Sequence, residues 1–337
     1  MGNQLSHIHN KLLLLIFVFA NTTCGEGYGT PQKLDRLRVM AIQAAPPSIA
    51  NNESTTLQAL IYQPSEREQE PTYSWSWCPF VDSGAEGFTC LTSESEFAAL
   101  VGTDAANISF DLGSNSTATL EHIFDNASLM NICSPENGDA AGFFPDCFGG
   151  LSVTVRLEIN DAKESITAIK RLRLLYDGTP ANQNPTFDEV KFLLSKSKLG
   201  GEDRGSTKDD EPTIEDAKIM PADGSGKLAI DKTYHLFADI KEGQSEEFTT
   251  WGFDDNAQLI MLPSQEELYI SWYITAGELL SARTEYNPPL SDLEDLHQNL
   301  WRLPADETRQ GNQASFYFIA HDSRGGVGWV ERSVELD

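Results

Sequence analysis

Leu151-Ser152-Val153-Thr154-Val155-Arg156-Leu157-Glu158-Ile159 alternates strictly between apolar and polar residues. That period of two is the signature of a strand with one face in a core and one in solvent. Asn160-Asp161 follows as a turn, and Ile166 to Tyr176 runs back. Upstream, Thr72 to Cys78 sets Tyr73, Trp75 and Trp77 on one side and Ser74 and Ser76 on the other; Thr55 to Tyr62 sets Leu57, Ala59 and Ile61 together. Leu37 to Ile42 is an apolar run stopped by Pro46-Pro47. Short alternating segments bounded by Pro, Gly and Asn predict an antiparallel sandwich.

Outward from this core the pattern recurs. Thr233 to Ile240, Leu268 to Ile274, a row ending Phe316, Phe318 and Ala320, and Val327 to Leu336 all alternate. Both halves carry a Ser-Trp pair on a middle strand, Ser74-Trp75 and Ser271-Trp272, and an Asp-bearing turn before the last strand, Asp161 and Asp322. A buried tryptophan on a middle strand is the packing centre of an immunoglobulin-like sandwich. The fold class expected is all-β, two tandem immunoglobulin-like antiparallel β-sandwiches, with a cysteine-bearing insertion (79–147) in the first and a short helix in the second. Ser93 and Glu96 predict a capping box within the insertion, and Ser291 and Glu294 another for a helix over Ser291–Trp301 burying Leu293, Leu296 and Leu300. The expected divisions are an export signal over 1–23, a tether over 24–35, a first sandwich over 36–176, a linker over 177–186 and a second sandwich over 187–337. The linker is poor in apolar residues, so the halves are expected to be separable.

Lys11 and the nine apolar residues Leu12 to Ala20 follow the plan of an export signal, and the run is too short to cross a bilayer. Two processing routes are open: cleavage after Ala20, or lipidation of Cys24 in a bacterial lipoprotein. Asn21 stands where a lipobox has an aliphatic residue. Cysteine arithmetic favours lipidation, because removing Cys24 leaves the even set Cys78, Cys90, Cys133 and Cys147. In an exported chain those four predict two disulfides. Three pairings are possible, and the one closing the two short loops is preferred. A localisation in the cell envelope follows, at the outer membrane, in the periplasm or on the surface.

The 337 residues carry 24 Lys+Arg against 51 Asp+Glu, a formal charge of −27. That balance argues against a nucleic-acid partner, which needs a basic surplus. His122, His235, His297 and His321 are dispersed and read as surface or strand-edge residues. Asp223 to Leu228 imitates the middle of a calcium loop, but Pro221 and Lys232 stand where its first and last ligands belong. Acidic clusters such as Asp254-Asp255 and Asp292-Glu294-Asp295 read as solvated faces that could hold calcium weakly. Asn52, Asn107, Asn115 and Asn126 open N-x-[ST] triplets and read as polar loop residues. No catalytic, metal-binding or cofactor motif is present, and no cofactor is expected.

Cys24 to Pro31, Leu37 to Ala44 with its Pro-Pro turn, Tyr73 to Pro79, and His321-Asp322-Ser323-Arg324-Gly325-Gly326-Val327-Gly328-Trp329 together resemble myxobacterial-type secreted lipoproteins with immunoglobulin-like repeats. The resemblance implies a lipid-anchored envelope protein without an assigned biochemical role. The function expected is therefore a non-catalytic envelope lipoprotein, structural or ligand-presenting. Its partners would be the membrane, through an N-terminal lipid, and a protein or glycan. The competing reading is a carbohydrate-binding or carbohydrate-hydrolysing protein that uses acidic residues and exposed aromatics, for which Trp251, Phe253 and Trp301 are candidates.

Overall fold

A computed structural model describes residues 31–67, 69–82, 88–133, 147, 149–194, 227–253, 258–288, 290–305 and 311–337. In the first half, β1 (Arg38–Ala45), β3 (Ser54–Tyr62) and β6 (Thr117–Glu121) form one sheet. The facing sheet runs β2 (Ser48–Ile49), β8 (Ser165–Leu175), β7 (Gly150–Asn160), β4 (Thr72–Cys78) and β5 (Asp111–Gly113). Pro46 and Pro47 separate β1 from β2, since proline cannot donate to a ladder. The chain thereby changes sheets, and β2 joins β8 in parallel.

The second half repeats the order. One sheet holds β9 (Phe187–Leu194), β11 (Thr233–Ile240), β17 (Gln298–Arg302) and β15 (Glu278–Leu279). The other runs β10 (Lys227–Leu228), β19 (Val327–Leu336), β18 (Gln313–Asp322), β14 (Leu268–Ile274) and β16 (Arg283–Tyr286). Here β10 joins β19 in parallel, as β2 joins β8. Eight strands of one half thus have counterparts in the other, and the fold is two tandem immunoglobulin-like sandwiches. An extra hairpin, β12 (Glu247–Phe253) and β13 (Leu259–Gln265), projects between β11 and β14.

Each sandwich has its own core around its tryptophan. Trp75 is fully buried among Ile49, Leu57, Val155 and Leu157, and Trp272 among Leu236, Ile270, Phe316 and Phe318. Both indoles still satisfy their N–H: Trp75 Nε1 donates to the Asn115 carbonyl and Trp272 Nε1 to Thr284 Oγ1, each at 2.9 Å. Full burial of such a side chain accounts for about 3 kcal/mol of hydrophobic stabilisation.

The stretch expected to be a single insertion is interrupted by β5 and β6, which belong to the sandwich itself. The extra material is two separate connections. The first carries α1 (Glu94–Val101), whose capping box pairs the Ser93 hydroxyl with the Glu96 N–H and the Glu96 carboxylate with the Ser93 N–H. It ends at Gly102, whose φ of 69° suits a residue without Cβ. The second carries α2 (Asn126–Ile132), capped by Asp125. Trp77, Phe97, Phe110 and Phe124 pack between these connections and the sandwich.

The helix expected over Ser291–Trp301 is one turn only, α3 (Leu293–Leu296), and its N-cap Asp292 makes no side-chain capping bond. The following residues enter β17 instead, pairing with β11, and Trp301 is buried from this strand. Leu293 is consequently exposed, while Leu296 packs inward.

Candidate functional site

The connection between β18 and β19, His321 to Val327, is where the two halves meet. Asp322 organises it. Its Oδ1 accepts from the backbone N–H of Arg324 at 2.8 Å and of Gly326 at 2.7 Å, folding the turn around the carboxylate. A Cβ on Gly326 would lie 2.0 Å from Asp322 Oδ2 and 2.7 Å from the Gln183 carbonyl oxygen, so only glycine fits. A Cβ on Gly328 would lie 1.9 Å from the Pro185 carbonyl oxygen.

The first half and the linker supply the slot that receives this turn. Asn182 donates from Nδ2 to both Asp322 oxygens, at 3.2 and 3.1 Å, and its N–H donates to Ser48 Oγ. Asn184 donates to the Ala44 carbonyl and accepts from the Val327 N–H. Gln43 donates to the Val327 carbonyl at 2.6 Å. Lys170 occupies the core-facing row of β8, between Ala168 and Leu172, yet its Nζ donates across the boundary to the Gly325 carbonyl. The stem is buried and only the ammonium reaches a polar partner. Desolvation pushes its pKa down to about 8, opposed by the negative Asp322.

Beside this polar seam lies an apolar one. Met40, Ala41 and Leu60 of the first half share a buried cluster with Ile319 and Val327 of the second. The Tyr62 and Tyr317 rings meet edge to face at 6.2 Å. Leu34 joins this cluster, its N–H donating to the Ile274 carbonyl, while the Ile274 N–H donates to Gln32. The last residues of the stretch read as a tether are thus bonded to β14 of the second half. The linker read as a loose connection carries bonds to both halves, so the expectation of little between them is corrected. Polar side chains supply the attachment that the missing apolar residues do not.

On the far side of the turn, Arg324 Nε donates to Glu266 Oε1 at 2.5 Å and its Nη2 pairs with Glu246. Its guanidinium lies over the Phe248 ring. Glu266 is fully buried; burial raises its pKa, and the Arg324 hydrogen bond opposes that rise. This clamp fixes the base of the β12–β13 hairpin to the turn. His321 stacks on Tyr269 at 4.4 Å, and the Arg283 guanidinium lies over the Tyr269 ring at 3.8 Å. Burial, then the positive charges of Lys170 and Arg283, hold the His321 imidazole at a pKa of about 3. It is neutral at physiological pH.

Two concavities flank the seam. One of 260 Å³ is lined by Gln43, Pro185, Phe187, Trp329 and Arg332, and one of 140 Å³ by Tyr269, Arg283, Glu285, Tyr286 and Ser323. Of the titratable groups between them, Lys170, Asp322, Arg324, Glu246 and Glu266 are bonded to one another or to backbone. Chemically the arrangement immobilises a turn.

The structure pairs Cys78 with Cys90 and Cys133 with Cys147, closing the two short loops, with Cα separations of 5.7 and 5.9 Å. Cys24, residues 223–226 of the calcium-like stretch and the Asp254-Asp255 cluster lie outside the described residues, as do the side chains of Trp251 and Phe253. Among the described residues no His, Cys, Asp and Glu group converges as metal ligands. Trp301 is not an exposed aromatic: it is fully buried, with Nε1 donating to the Ala276 carbonyl. His122 is also buried, not at the surface. Its Nδ1 accepts from the Phe124 N–H, so Nε2 carries the proton and donates to the Leu175 carbonyl. Sequence reasoning did not single out Lys170, Asn182, Asn184 or Glu266. For Lys170 a signal existed, one charge interrupting the row Ile166, Ala168, Leu172, Leu174.

No family model matches the chain, and no curated protein matches it. Among solved structures, Escherichia coli alpha-2-macroglobulin activated by porcine elastase matches at 11% identity and a TM-score of 0.23, over 92% of this chain and 22% of that one. The fibronectin(III)-like modules of Clostridium thermocellum CbhA match at 7% identity and a TM-score of 0.21, over 88% and 93%. The Ig1-2 module of the Drosophila receptor protein tyrosine phosphatase DLAR matches at 8% identity and a TM-score of 0.23, over 90% and 100%. The chain spans about a fifth of the macroglobulin it matches. At these TM-scores the likenesses carry no argument, and the fold assignment rests on the duplicated strand order.

Proposed function

We propose that this chain is a non-catalytic, exported envelope module, anchored by a lipid on Cys24, whose two sandwiches act as one stiff ligand-presenting unit. The observation that carries the reading is the seam: linker, β1 and β8 hold the Asp322 turn through a continuous set of hydrogen bonds. A protein whose role is to position a surface gains from such stiffness, because a pre-organised surface loses less entropy on binding. The two disulfides support an oxidising, exported setting. Among the described residues no helix is long and apolar enough to cross a membrane. The resemblance to myxobacterial-type secreted lipoproteins belongs to this proposal, and its segment His321–Trp329 is the turn that joins the halves.

Metabolic labelling with a fatty-acid analogue tests the anchor. The wild-type chain takes up label and Cys24→Ser does not; equal labelling of both, or labelling of neither, overturns it.

A further inference from the structure

The duplicated topology lets the edge by which the first half docks be compared with its counterpart in the second. Trp75 pairs with Leu157 on β7, and Trp272 with Phe318 on β18. Leu157 in turn pairs with Ala168, and Phe318 with Val330. Two residues further on, Lys170 of β8 therefore answers to Arg332 of β19. The parallel pairs Ile49 with Leu174 and Leu228 with Leu336 give the same correspondence. Strands β1 and β9 each skip one residue of register, Met40 and Asp188. Counting from these, Ala41 answers to Glu189, and their cross-strand partners Leu60 and Asp239 answer to each other.

In the first half Met40, Ala41 and Leu60 are covered by Ile319 and Val327. Lys170 is answered from outside its own sandwich, by the Gly325 carbonyl and the negative Asp322 of the docked turn. The second half keeps the cation and replaces the three apolar positions by carboxylates. Asp188, Glu189 and Arg332 all line the 260 Å³ cleft, together with the apolar Phe187, Val190 and Trp329. Gln43 of the first half lines it too, so the cleft continues the seam. Glu189 is held by Lys191, while Asp188 is exposed. Arg332 occupies the core-facing row of β19, between Val330 and Val334. Its Nη1 donates to the Glu331 carbonyl at 2.8 Å, and its Nε is buried without a hydrogen-bond partner. Among the described residues no carboxylate pairs with it. A buried donor is costly to leave unmade, and an arginine is completed by a carboxylate.

We propose that this cleft receives a carboxylate-bearing turn of a partner protein, the carboxylate going to Arg332 and a basic residue beside it to Asp188. The duplication names the occupant. The corresponding cation of the first half is met by a turn that carries Asp322, with Arg324 two residues on. A second copy of this chain has neither of its Asp-bearing turns to spare, because Asn182 holds Asp322 and Arg67 holds Asp161. The cleft is smaller than the roughly 300–1,000 Å³ of sites that enclose drug-sized ligands, so it suits one or two side chains of a protein. One cation behind an acidic rim does not suit a nucleic-acid backbone. Carboxylates at the positions of Met40, Ala41 and Leu60 make docking here depend on charge where the seam depends on burial. The proposal deepens the ligand-presenting reading above and rests on it.

The test follows the tryptophan indole resonances of the full chain, purified in a non-ionic detergent, by nuclear magnetic resonance. The probe is a head-to-tail cyclic peptide with the sequence His321–Val327. The Trp329 resonance, identified by its loss in Trp329→Phe, is expected to shift as peptide is added to millimolar concentration, while those of Trp75 and Trp272 stay in place. The shift weakens as salt rises. The same peptide carrying Asp322→Asn is expected to bind roughly tenfold more weakly, because a charge-assisted pair is lost. Arg332→Gln in the protein has the same effect. Unchanged Trp75 and Trp272 resonances show that this variant is folded; should it fail to fold, the two peptides on the wild type decide alone. No shift at Trp329, equal binding of both peptides, or equal binding by folded Arg332→Gln overturns the proposal. Cleavage of the bound peptide would instead overturn the non-catalytic reading and leave the occupant of the cleft standing.

Discussion

Asn182 holds Asp322 by both carboxylate oxygens, at 3.2 and 3.1 Å, across 140 residues of chain. One residue belongs to the linker and the other to the closing hairpin of the second sandwich, and both are buried. A buried carboxylate is tolerated only where donors surround it. Asp322 has four such bonds: two from Asn182, one from Arg324 N–H and one from Gly326 N–H. The bonds that shape the turn and those that dock it therefore share one side chain.

Asn182→Ala removes two of those bonds and leaves the carboxylate buried. A loss of about 1–3 kcal/mol is expected, the usual magnitude for an orphaned buried partner. Chemical denaturation of wild type and variant measures it. A change below about 0.5 kcal/mol would show that the docking contact is energetically idle.

Lys170 makes stability depend on pH in the alkaline range. Its folded pKa is about 8 against 10.5 unfolded, so between these values the unfolded chain binds more protons. Stability therefore rises as pH goes from 8 towards 10. Above pH 10 the sign reverses for Tyr317, whose folded pKa of about 12 keeps it protonated while the unfolded tyrosine ionises. Denaturant midpoints at pH 7.5 and 9.5 should differ in wild type and much less in Lys170→Met. Equal slopes in the two proteins would mean that Lys170 is not the group responsible.

His321 acts in the acid range. Its folded pKa of about 3 lies below the unfolded 6.5, so the unfolded chain again binds more protons between the two. The stability it contributes is complete above pH 6.5 and is lost progressively as pH falls towards 3. Nuclear magnetic resonance titration of the imidazole should find no midpoint between pH 5 and 7, and a midpoint there would refute the burial argument.

The strand rows were legible because each has one dominant face. Thr72–Cys78, Thr233–Ile240, Leu268–Ile274 and Val327–Leu336 coincide with β4, β11, β14 and β19. The seam was not read because its residues occupy the other face of those strands. Tyr273, Tyr317 and Ile319 look like ordinary surface residues until Met40 and Leu60 are found against them. Phe316-Tyr317-Phe318-Ile319 is apolar on both faces, which is the trace such double covering leaves. The misread helix has a similar cause. Leu293, Leu296 and Leu300 fit a helical stripe, while Asn299 and Trp301 also fit a strand, and pairing with β11 decides for the strand.

The disulfides constrain only the first half. They span 12 and 14 residues, and loops of that size contribute about 3 kcal/mol each by restricting the unfolded chain. Replacing Cys78 and Cys90 together by Ser should lower stability by about 2–4 kcal/mol. Mass spectrometry without reductant should find no free thiol among the four in wild type. Alkylation of any of them there would contradict the pairing.

Docking also decides whether the sandwiches unfold separately. Each has its own core, centred on Trp75 or Trp272, and replacing either by Ala should cost about 3–5 kcal/mol. Two independent sandwiches would show that loss in one of two transitions. The shared cluster of Leu34, Met40, Leu60, Ile319 and Val327, with the Asp322 turn, makes each half a ligand of the other. A partner that binds only the folded form raises the apparent stability of both. Calorimetry of the wild type is therefore expected to give one transition, lowered by Trp75→Ala and by Trp272→Ala alike. Asn182→Ala combined with Ile319→Ser should move it towards two, because it weakens both the polar and the apolar part of the seam while leaving both cores intact. Two transitions in the wild type, each answering to only one tryptophan, would show that the seam is too weak to couple the sandwiches.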